Sequence, residues 1–568
     1  MKQIGFFCSS FDFLFITCCI GLVSLPGRSE LATGERGIVT TVNAAATEAG
    51  LRALKQGGNA VDAAVACALT LGVVDGFNSG IGGGCFMMIR LANGSLLAID
   101  GRETAPAAAT RDMFVRDGKV DPQLSQTGPL AVGVPGALAA YDHAIKQHGK
   151  LTLAVHLRSA AELAESGFRV DRGYARRIQE TAKELKLFPA TREIFSHPDG
   201  SPLREGDTLK QNDLAKTYRA IAKEGVTWFY RGPFAATTDR WMQQNGGILR
   251  AADFEQYQSK LREPIRTTYR GYEIAGFPPP SSGGVHVAQI LNILESFDLK
   301  AMSANSGDLV HVVAEAMKLA FADRAYWLGD PDFAPVPRGL VSKEYAAKLA
   351  KRIRMDRVTS VASHGTPEQA EGNIFGKHTT HFSTADSEGN WVACTATINT
   401  TFGSKVVIPG TGVVLNNQMD DFSAQPGATN FFGLVGAEAN AVGPRKRPLS
   451  SMSPTIVLKE GKPILSVGAA GGPTIISQAL LAIIYTIDFG MDVESALAQP
   501  RFHHQWKPDE LKIERKIGNA VLRDLERRGH KLAEVDSLGA AQAVGTGVGG
   551  KGFAGASDPR LAGKAMGW

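Results

Sequence analysis

The sequence predicts an α+β fold in which antiparallel sheets are layered with helices, and three observations predict it. Two hairpin patterns occupy the last third of the chain, at 379–399 and 455–468. A third strand pair lies far upstream, at 85–100, and most of the stretch between reads as helix. Strand pairs so far apart, with helices before and after, suggest sheets covered by helical layers. The 568 residues are 44% hydrophobic and 21% charged, which is globular composition and excludes a disordered, collagen-like or disulfide-scaffold protein. A formal charge of +5 over this length, with no long Lys/Arg run, argues against a nucleic-acid surface. No internal repeat or low-complexity linker divides the mature chain, so one large unit is expected.

Each element has a local reason. Residues 44–55 carry an Ala-rich helical pattern that Gly57-Gly58 ends, and Asn59 is placed to cap a second helix running to about 74. Next, the run Gly80 to Gly84 leads into strands at 85–91 and 95–100 joined by Asn93-Gly94, a strong hairpin signal. Residues 152–261 read mostly as helix. After the loop Pro278-Pro279-Pro280-Ser281-Ser282-Gly283-Gly284, another helical block includes 309–328. Ser387-Glu388-Gly389-Asn390 turns the hairpin between 379–386 and 391–399. Glu460-Gly461-Lys462 turns the one between 455–459 and 464–468, and 473–487 follows as a helix.

The N-terminus stands apart. An apolar run at 4–25 after Lys2, a break at Pro26-Gly27 and small residues at Gly27 and Ser29 have the form of a secretory signal, residues 1–29, cleaved near Ser29. A periplasmic or secreted protein is expected; Asp12 within the run and a single n-region charge keep an uncleaved membrane anchor as the alternative. No later segment reaches the roughly 18 uninterrupted apolar residues of a membrane span. Cys8, Cys18 and Cys19 fall in the signal, so Cys67, Cys85 and Cys394 allow one disulfide at most.

Several chemistries can be set aside. Gly80-Ile81-Gly82-Gly83-Gly84 lacks the Lys-Ser/Thr of a phosphate loop and precedes a strand. His503 and His504 are adjacent, without the spacing of a metal site, so no metal or other cofactor is expected. Pro444-Arg445-Lys446-Arg447-Pro448 reads as a solvated basic turn, and no G-x-S-x-G elbow supports a Ser-His-Asp hydrolase.

What remains is a cluster of hydroxyl, amide and carboxylate residues in the last third. Thr379-Thr380-His381-Phe382-Ser383, Asn399-Thr400-Thr401-Phe402-Gly403, Asn416-Asn417-Gln418-Met419-Asp420-Asp421-Phe422, Arg447-Pro448-Leu449-Ser450-Ser451-Met452-Ser453-Pro454-Thr455 and Gly471-Gly472 resemble, in order and spacing, the gamma-glutamyltransferase family. Asp100-Gly101-Arg102-Glu103-Thr104-Ala105-Pro106 and Pro500-Arg501-Phe502-His503-His504-Gln505-Trp506 extend the resemblance over nearly the whole mature chain.

The resemblance implies an N-terminal-nucleophile hydrolase fold, a four-layer αββα sandwich made as one precursor that cuts itself between His378 and Thr379. The fragments would be 30–378 and 379–568, held together as a heterodimer. Thr379 would then serve as nucleophile, with its own freed amine as base, since an α-amine titrates near about 7.7 to 8.0. By the same resemblance, Arg102, Ser450 and Ser451 would hold the α-carboxylate of a gamma-glutamyl group. Asp421, Asn399 and Gln418 would hold its α-ammonium, Gly471 and Gly472 would form the oxyanion hole, and Thr397 would orient Thr379. Residues 426–437 resemble a lid loop, with Phe432 where relatives often carry Tyr. Taken singly, Arg102 would be a surface ion-pair residue, Ser450 and Ser451 turn hydroxyls, Gly471-Gly472 a plain turn and Thr397 a strand residue; it is the joint match that gives them roles. The implied substrates are glutathione and other gamma-glutamyl compounds, with transfer to water or to an amino acid or peptide acceptor. A cephalosporin (glutaryl)-type acylase is the first alternative, although Asp421 has no ammonium to meet there. An unprocessed, inactive binding homologue is the second.

Overall fold

Asn43 and Asn59 open the first two helices by the same device. The Asn43 side chain accepts from Ala45 N at 2.9 Å to start the helix Ala44–Lys55. Asn59 accepts from the amides of Val61 and Asp62 while Asp62 accepts from Asn59 N, a capping box that starts Ala60–Val74. The structure, a computed structural model, describes residues 31–368, 380–425 and 427–568. The expected signal segment, His378 and Thr379 therefore lie outside the described residues, as does Pro426 of the lid.

The expected strand pairs form, and each belongs to a larger sheet. One seven-stranded antiparallel sheet runs Lys564–Gly567, Gly37–Thr41, Thr380–Asp386, Trp391–Thr397, Gly84–Arg90, Leu96–Gly101, Lys260–Arg262. A second runs Ala32–Gly34, Phe553–Ser557, Ala540–Thr546, Lys462–Ala470, Thr455–Lys459, Tyr272–Gly276, Ile265–Tyr269. Both sheets combine strands from before and after position 379. Ile38 lies opposite Ala385 and Cys394 opposite Met87, so segments hundreds of residues apart are direct neighbours.

The period-2 alternation of strand side chains explains how the sheets are covered. Ile38, Phe86, Met88, Trp391 and Ile456 fill the space between the two sheets, where Phe86 stacks on Phe277 at 4.1 Å between ring centroids. The intervening Val39, Cys85, Met87, Ile89 and Cys394 face a second core with the helices Ala44–Lys55 and Ala60–Val74. The second of these helices is buried all round, which explains why its apolar residues form no stripe. On the other sheet, Val457, Leu465 and Val467 pack with Gly283–Leu294, Gly307–Trp327 and Thr474–Ile487. The region 152–261 is mostly helical, as expected, interrupted by the short strands Phe168–Arg169 and Thr208–Leu209.

One expectation is corrected, and the cysteine pairing left open by the sequence is resolved. The basic turn is not solvated throughout: Lys446 and Arg447 are buried, because Arg447 donates to Asp100 at 2.8 Å and Lys446 to the carbonyls of Ala439 and Ala441. Cys67, Cys85 and Cys394 are all free and buried, so no pair forms among them. A small sheet of Phe502–His504, Leu511–Glu514 and Leu532–Val535 has no counterpart in the sequence reading. It holds His503 and His504 as structural residues, bonded to Ser477 and Gln505 and to Asp509 respectively.

Candidate active site

The site is built where the strand Trp391–Thr397 ends beside the start of its partner Thr380–Asp386. Thr397 Oγ1 accepts from Asn399 N at 2.7 Å and helps hold Asn399 at φ 79°. This turns the chain sharply out of the sheet. Asn399 Nδ2 then donates to Asn417 O at 3.0 Å, and its Oδ1 has no partner among the described residues. Asn416 fixes the other side of the turn. Its Oδ1 accepts from the amides of Gly133 and Gln418, and its Nδ2 donates to the carbonyls of Gly82 and Gly133. The Gly-rich run therefore serves close packing: a Cβ on Gly83 would sit 1.8 Å from Thr397 O, and one on Gly82 2.1 Å from Val414 O.

Arg102 arrives at the same end of this sheet, where Gly101 lies opposite Cys85 and Cys85 opposite Ala396. Asp100 accepts from Arg102 N at 2.9 Å, Arg447 Nη1 at 2.8 Å and Arg262 Nε at 2.8 Å. Arg447 and Tyr257 both donate to Arg102 O. The backbone under the guanidinium is thus clamped, and the side chain is fully buried. Arg102 Nη2 donates to Asp421 Oδ2 at 2.6 Å, Nε to Pro448 O at 3.2 Å and Nη1 to Glu103 Oε2 at 3.5 Å. Gln418 Nε2 donates to the same Asp421 oxygen at 3.0 Å. Sequence reasoning set Arg102 and Asp421 at opposite charges of a substrate; the structure brings them together as each other's counter-ion. Burial pushes the Glu103 carboxyl up to about 8, against the pull of Arg102.

Around this pair several buried polar atoms have no hydrogen-bond partner among the described residues: Asn399 Oδ1, Gln418 Oε1, Ser451 Oγ and Glu103 Oε1. A buried polar atom left unpaired costs about 1 to 3 kcal/mol, and such atoms call for an explanation. Three of the four belong to residues expected to hold a substrate. Ser450 differs: its Oγ accepts from Met452 N at 3.3 Å, and its carbonyl accepts from Ser282 N and Oγ.

The remaining wall comes from the second sheet. The strand Lys462–Ala470 stops at Gly471 and Gly472, at φ 125° and 63°, just before the helix Thr474–Ile487. A Cβ on Gly472 would lie 2.7 Å from Phe432 Cδ1, so the expected lid aromatic sits directly on this turn. Bridges Ser423 to Ala441 and Thr429 to Val435 close the lid segment on itself. Asp420 accepts from Phe431 N at 3.0 Å, Asn430 Nδ2 reaches Asp421 Oδ1 at 3.4 Å, and Gln505 Nε2 reaches the carbonyls of Phe432 and Gly433. Beneath it lies a cavity whose lining includes Asp420, Asp421, Asn430, Leu449 and Arg324. Glu103, Asp420 and Arg324 had no role in the sequence reading. Asp420 and Glu103 stood inside quoted motifs; Arg324 shows only as one of several charges in a helical run.

The site has a buried ion pair, unpaired acceptors, two glycines at positive φ and no group of three or more His, Cys, Asp or Glu suited to a metal among the described residues. Comparison with known proteins identifies relatives of the chain. A family model described as gamma-glutamyltranspeptidase matches residues 46–568. The chain is 45% identical over 530 residues to the glutathione hydrolase proenzyme of Escherichia coli (strain K12), spanning 93% of this chain and 90% of that one. Among solved structures it is similar to a cephalosporin acylase from Bacillus halodurans, with TM-score 0.84 at 29% identity over 100% of this chain and 99% of that. It is also similar to gamma-glutamyltranspeptidase from Helicobacter pylori, with TM-score 0.55 at 40% identity over 56% of this chain and 91% of that.

Proposed function

The chain belongs to the gamma-glutamyltranspeptidase family, and from that premise we infer that it is a self-processing gamma-glutamyltransferase acting on glutathione and related gamma-glutamyl amides. The observation that carries the reading is the buried Arg102–Asp421 pair ringed by unpaired acceptors. A gamma-glutamyl group carries a carboxylate and an ammonium on one carbon. When it enters, Arg102 takes the carboxylate and Asp421 the ammonium, so one ion pair becomes two and no charge is left uncompensated. The empty site neutralises itself, which avoids the heavy cost of isolated buried charges. Asn399 Oδ1 and Gln418 Oε1 are acceptors suited to ammonium hydrogens, and the Ser451 and Ser450 hydroxyls are donors suited to the carboxylate.

In the proposed mechanism Thr379 acts twice. In the precursor its Oγ attacks the His378 carbonyl carbon and the C–N bond breaks. The nitrogen leaves as the Thr379 amine, and water cleaves the resulting ester to leave a carboxylate on His378. In the mature enzyme that amine takes the Oγ proton as Oγ attacks the gamma-carbonyl. The oxyanion faces Gly471 and Gly472 N–H groups, the leaving amine takes the proton, and water or an acceptor amine resolves the ester. Thr397 Oγ1, at the strand end beside this point, orients the nucleophile. Each oxyanion donor contributes roughly 3 to 4 kcal/mol. The two-fragment αββα sandwich, and export directed by residues 1–29, belong to the same reading.

The likeness to a cephalosporin acylase over the whole chain favours one alternative, a glutaryl-type acylase, which lacks an ammonium to match Asp421. Two measurements decide. Intact mass of the purified protein should give two fragments, the smaller starting at Thr379, and a gamma-glutamyl anilide should be cleaved in preference to a glutaryl anilide. A fully active single chain, or the reverse preference, refutes the reading.

A further inference from the structure

Among the described residues four arginines are buried: Arg102, Arg324, Arg447 and Arg501. Three follow the rule that a buried charge is paired. Arg102 sits on Asp421, Arg447 on Asp100 and Arg501 on Asp558. Arg324, 3% exposed on the helix Gly307–Trp327, is different. Its one hydrogen bond among the described residues runs from Nε to Ser282 Oγ at 3.4 Å, and none of their carboxylates is within ion-pair distance. Neither Nη is spoken for, and the residue lines the cavity beneath the lid together with Asp421.

The location is specific. Ser282, which Arg324 touches, donates from N at 3.2 Å and Oγ at 2.6 Å to Ser450 O. Ser282 thus links the Arg324 guanidinium to the Ser450-Ser451 turn, whose hydroxyls are proposed to meet the α-carboxylate. Asp420, Asp421 and Arg324 line the same cavity, and an anionic group entering it meets Arg324 as a cation that no carboxylate of the described residues holds at ion-pair distance. Burial pushes its guanidinium down to about 9, and Asp421 pulls it back up; it remains charged at neutral pH.

We propose that Arg324 is a further specificity-determining residue, a second guanidinium that reads the α-carboxylate of the gamma-glutamyl group beside Arg102. The assignment rests on the activity inferred above. Two cations for the carboxylate and one anion for the ammonium make the subsite select for the acid end of the substrate more strongly than a single pair would.

The test measures kcat and KM for a gamma-glutamyl anilide and for the same anilide with its α-carboxylate converted to a carboxamide. It uses the parent chain, Arg324→Gln and Arg324→Lys, with processing followed by intact mass. For Arg324→Gln, kcat/KM on the acid should fall by about tenfold or more, mainly through KM, and on the carboxamide by less than about threefold. Arg324→Lys, which keeps the charge but not the fork, should lie between. Equal losses on both substrates overturn the proposal, because a residue that only supports the fold affects both alike. Both variants remaining uncut overturns it as well. A parent inert toward both anilides removes the activity reading, and this assignment falls with it.

Discussion

Replacing Asp421 by Asn keeps the shape of the side chain and deletes the charge on which two cations depend in turn: Arg102 in the empty site, the substrate ammonium in the filled one. A hydrogen bond to a charged group contributes about 1.5 to 3 kcal/mol, so kcat/KM for a gamma-glutamyl anilide should fall by at least about tenfold. A glutaryl anilide, without the ammonium, should lose less or gain. Stability responds as well, since breaking a buried ion pair costs about 3 to 5 kcal/mol. The structure supplies a partial replacement in Glu103, 3.5 Å from Arg102 and pushed up to about 8 by burial, with Asp421 adding to the push. In the parent the folded state keeps this proton after the unfolded chain has lost it at its ordinary 4.5. Stability therefore falls as pH rises from that value to about 8. In Asp421→Asn the repelling charge is gone and Glu103 becomes the sole carboxylate on Arg102, so its folded value drops and the fall shrinks. At about 1.4 kcal/mol per unit, a drop of one or two units restores roughly 1 to 3 kcal/mol. Urea unfolding should show the deficit of the variant narrowing between about pH 5 and about pH 8.5. A deficit that stays constant or widens refutes the Glu103 replacement, and equal kinetic losses on the two anilides refute Asp421 as the ammonium reader.

Thr379→Ala should yield one uncut, inactive chain by intact mass; two fragments from this variant would mean that another group makes the cut. Gly472→Ala should lower kcat/KM. A Cβ at φ 63° costs about 1 to 2 kcal/mol, and it meets the Phe432 ring at 2.7 Å, so adding Phe432→Ala should recover part of the loss; no recovery would show that the lid is not what the methyl displaces. Arg447→Met should cost about 1.5 to 3 kcal/mol in urea unfolding, because Asp100 loses one of its two guanidinium partners and keeps Arg262; a change under about 0.5 kcal/mol would remove Arg447 as the anchor of that segment.

What the sequence revealed depended on whether the cause was local. The Asn59 cap, the Gly57-Gly58 stop and the hairpin turns each act within a few residues, and the elements appear where those signals place them. Pairing Ile38 with Ala385 depends on closing a loop of hundreds of residues, and no short pattern encodes it. The same division runs through the site. Motifs carried Arg102, Asn399, Gln418, Asp421, Ser450, Ser451 and the glycine pair, but their mutual arrangement, above all the Arg102–Asp421 contact, came only from the fold. Arg324 escaped because a charge on a helix reads as a solvated face. Helix Gly307–Trp327 is instead buried over most of its length, polar residues included.

The mixing of strands from either side of position 379 within each sheet has a consequence for the life of the molecule. While the chain is whole, every sheet contact is a closure within one polymer, governed by a fixed effective concentration. A cut before Thr379 leaves those contacts in place but changes what their loss would mean. Unfolding would then release two pieces, neither holding a complete sheet, and recovery would require their encounter at whatever dilution the surroundings impose. Maturation would thus convert a reversible equilibrium into persistence set by an unfolding rate. The protein would fold once, as a precursor, and afterwards last only as long as that first assembly holds.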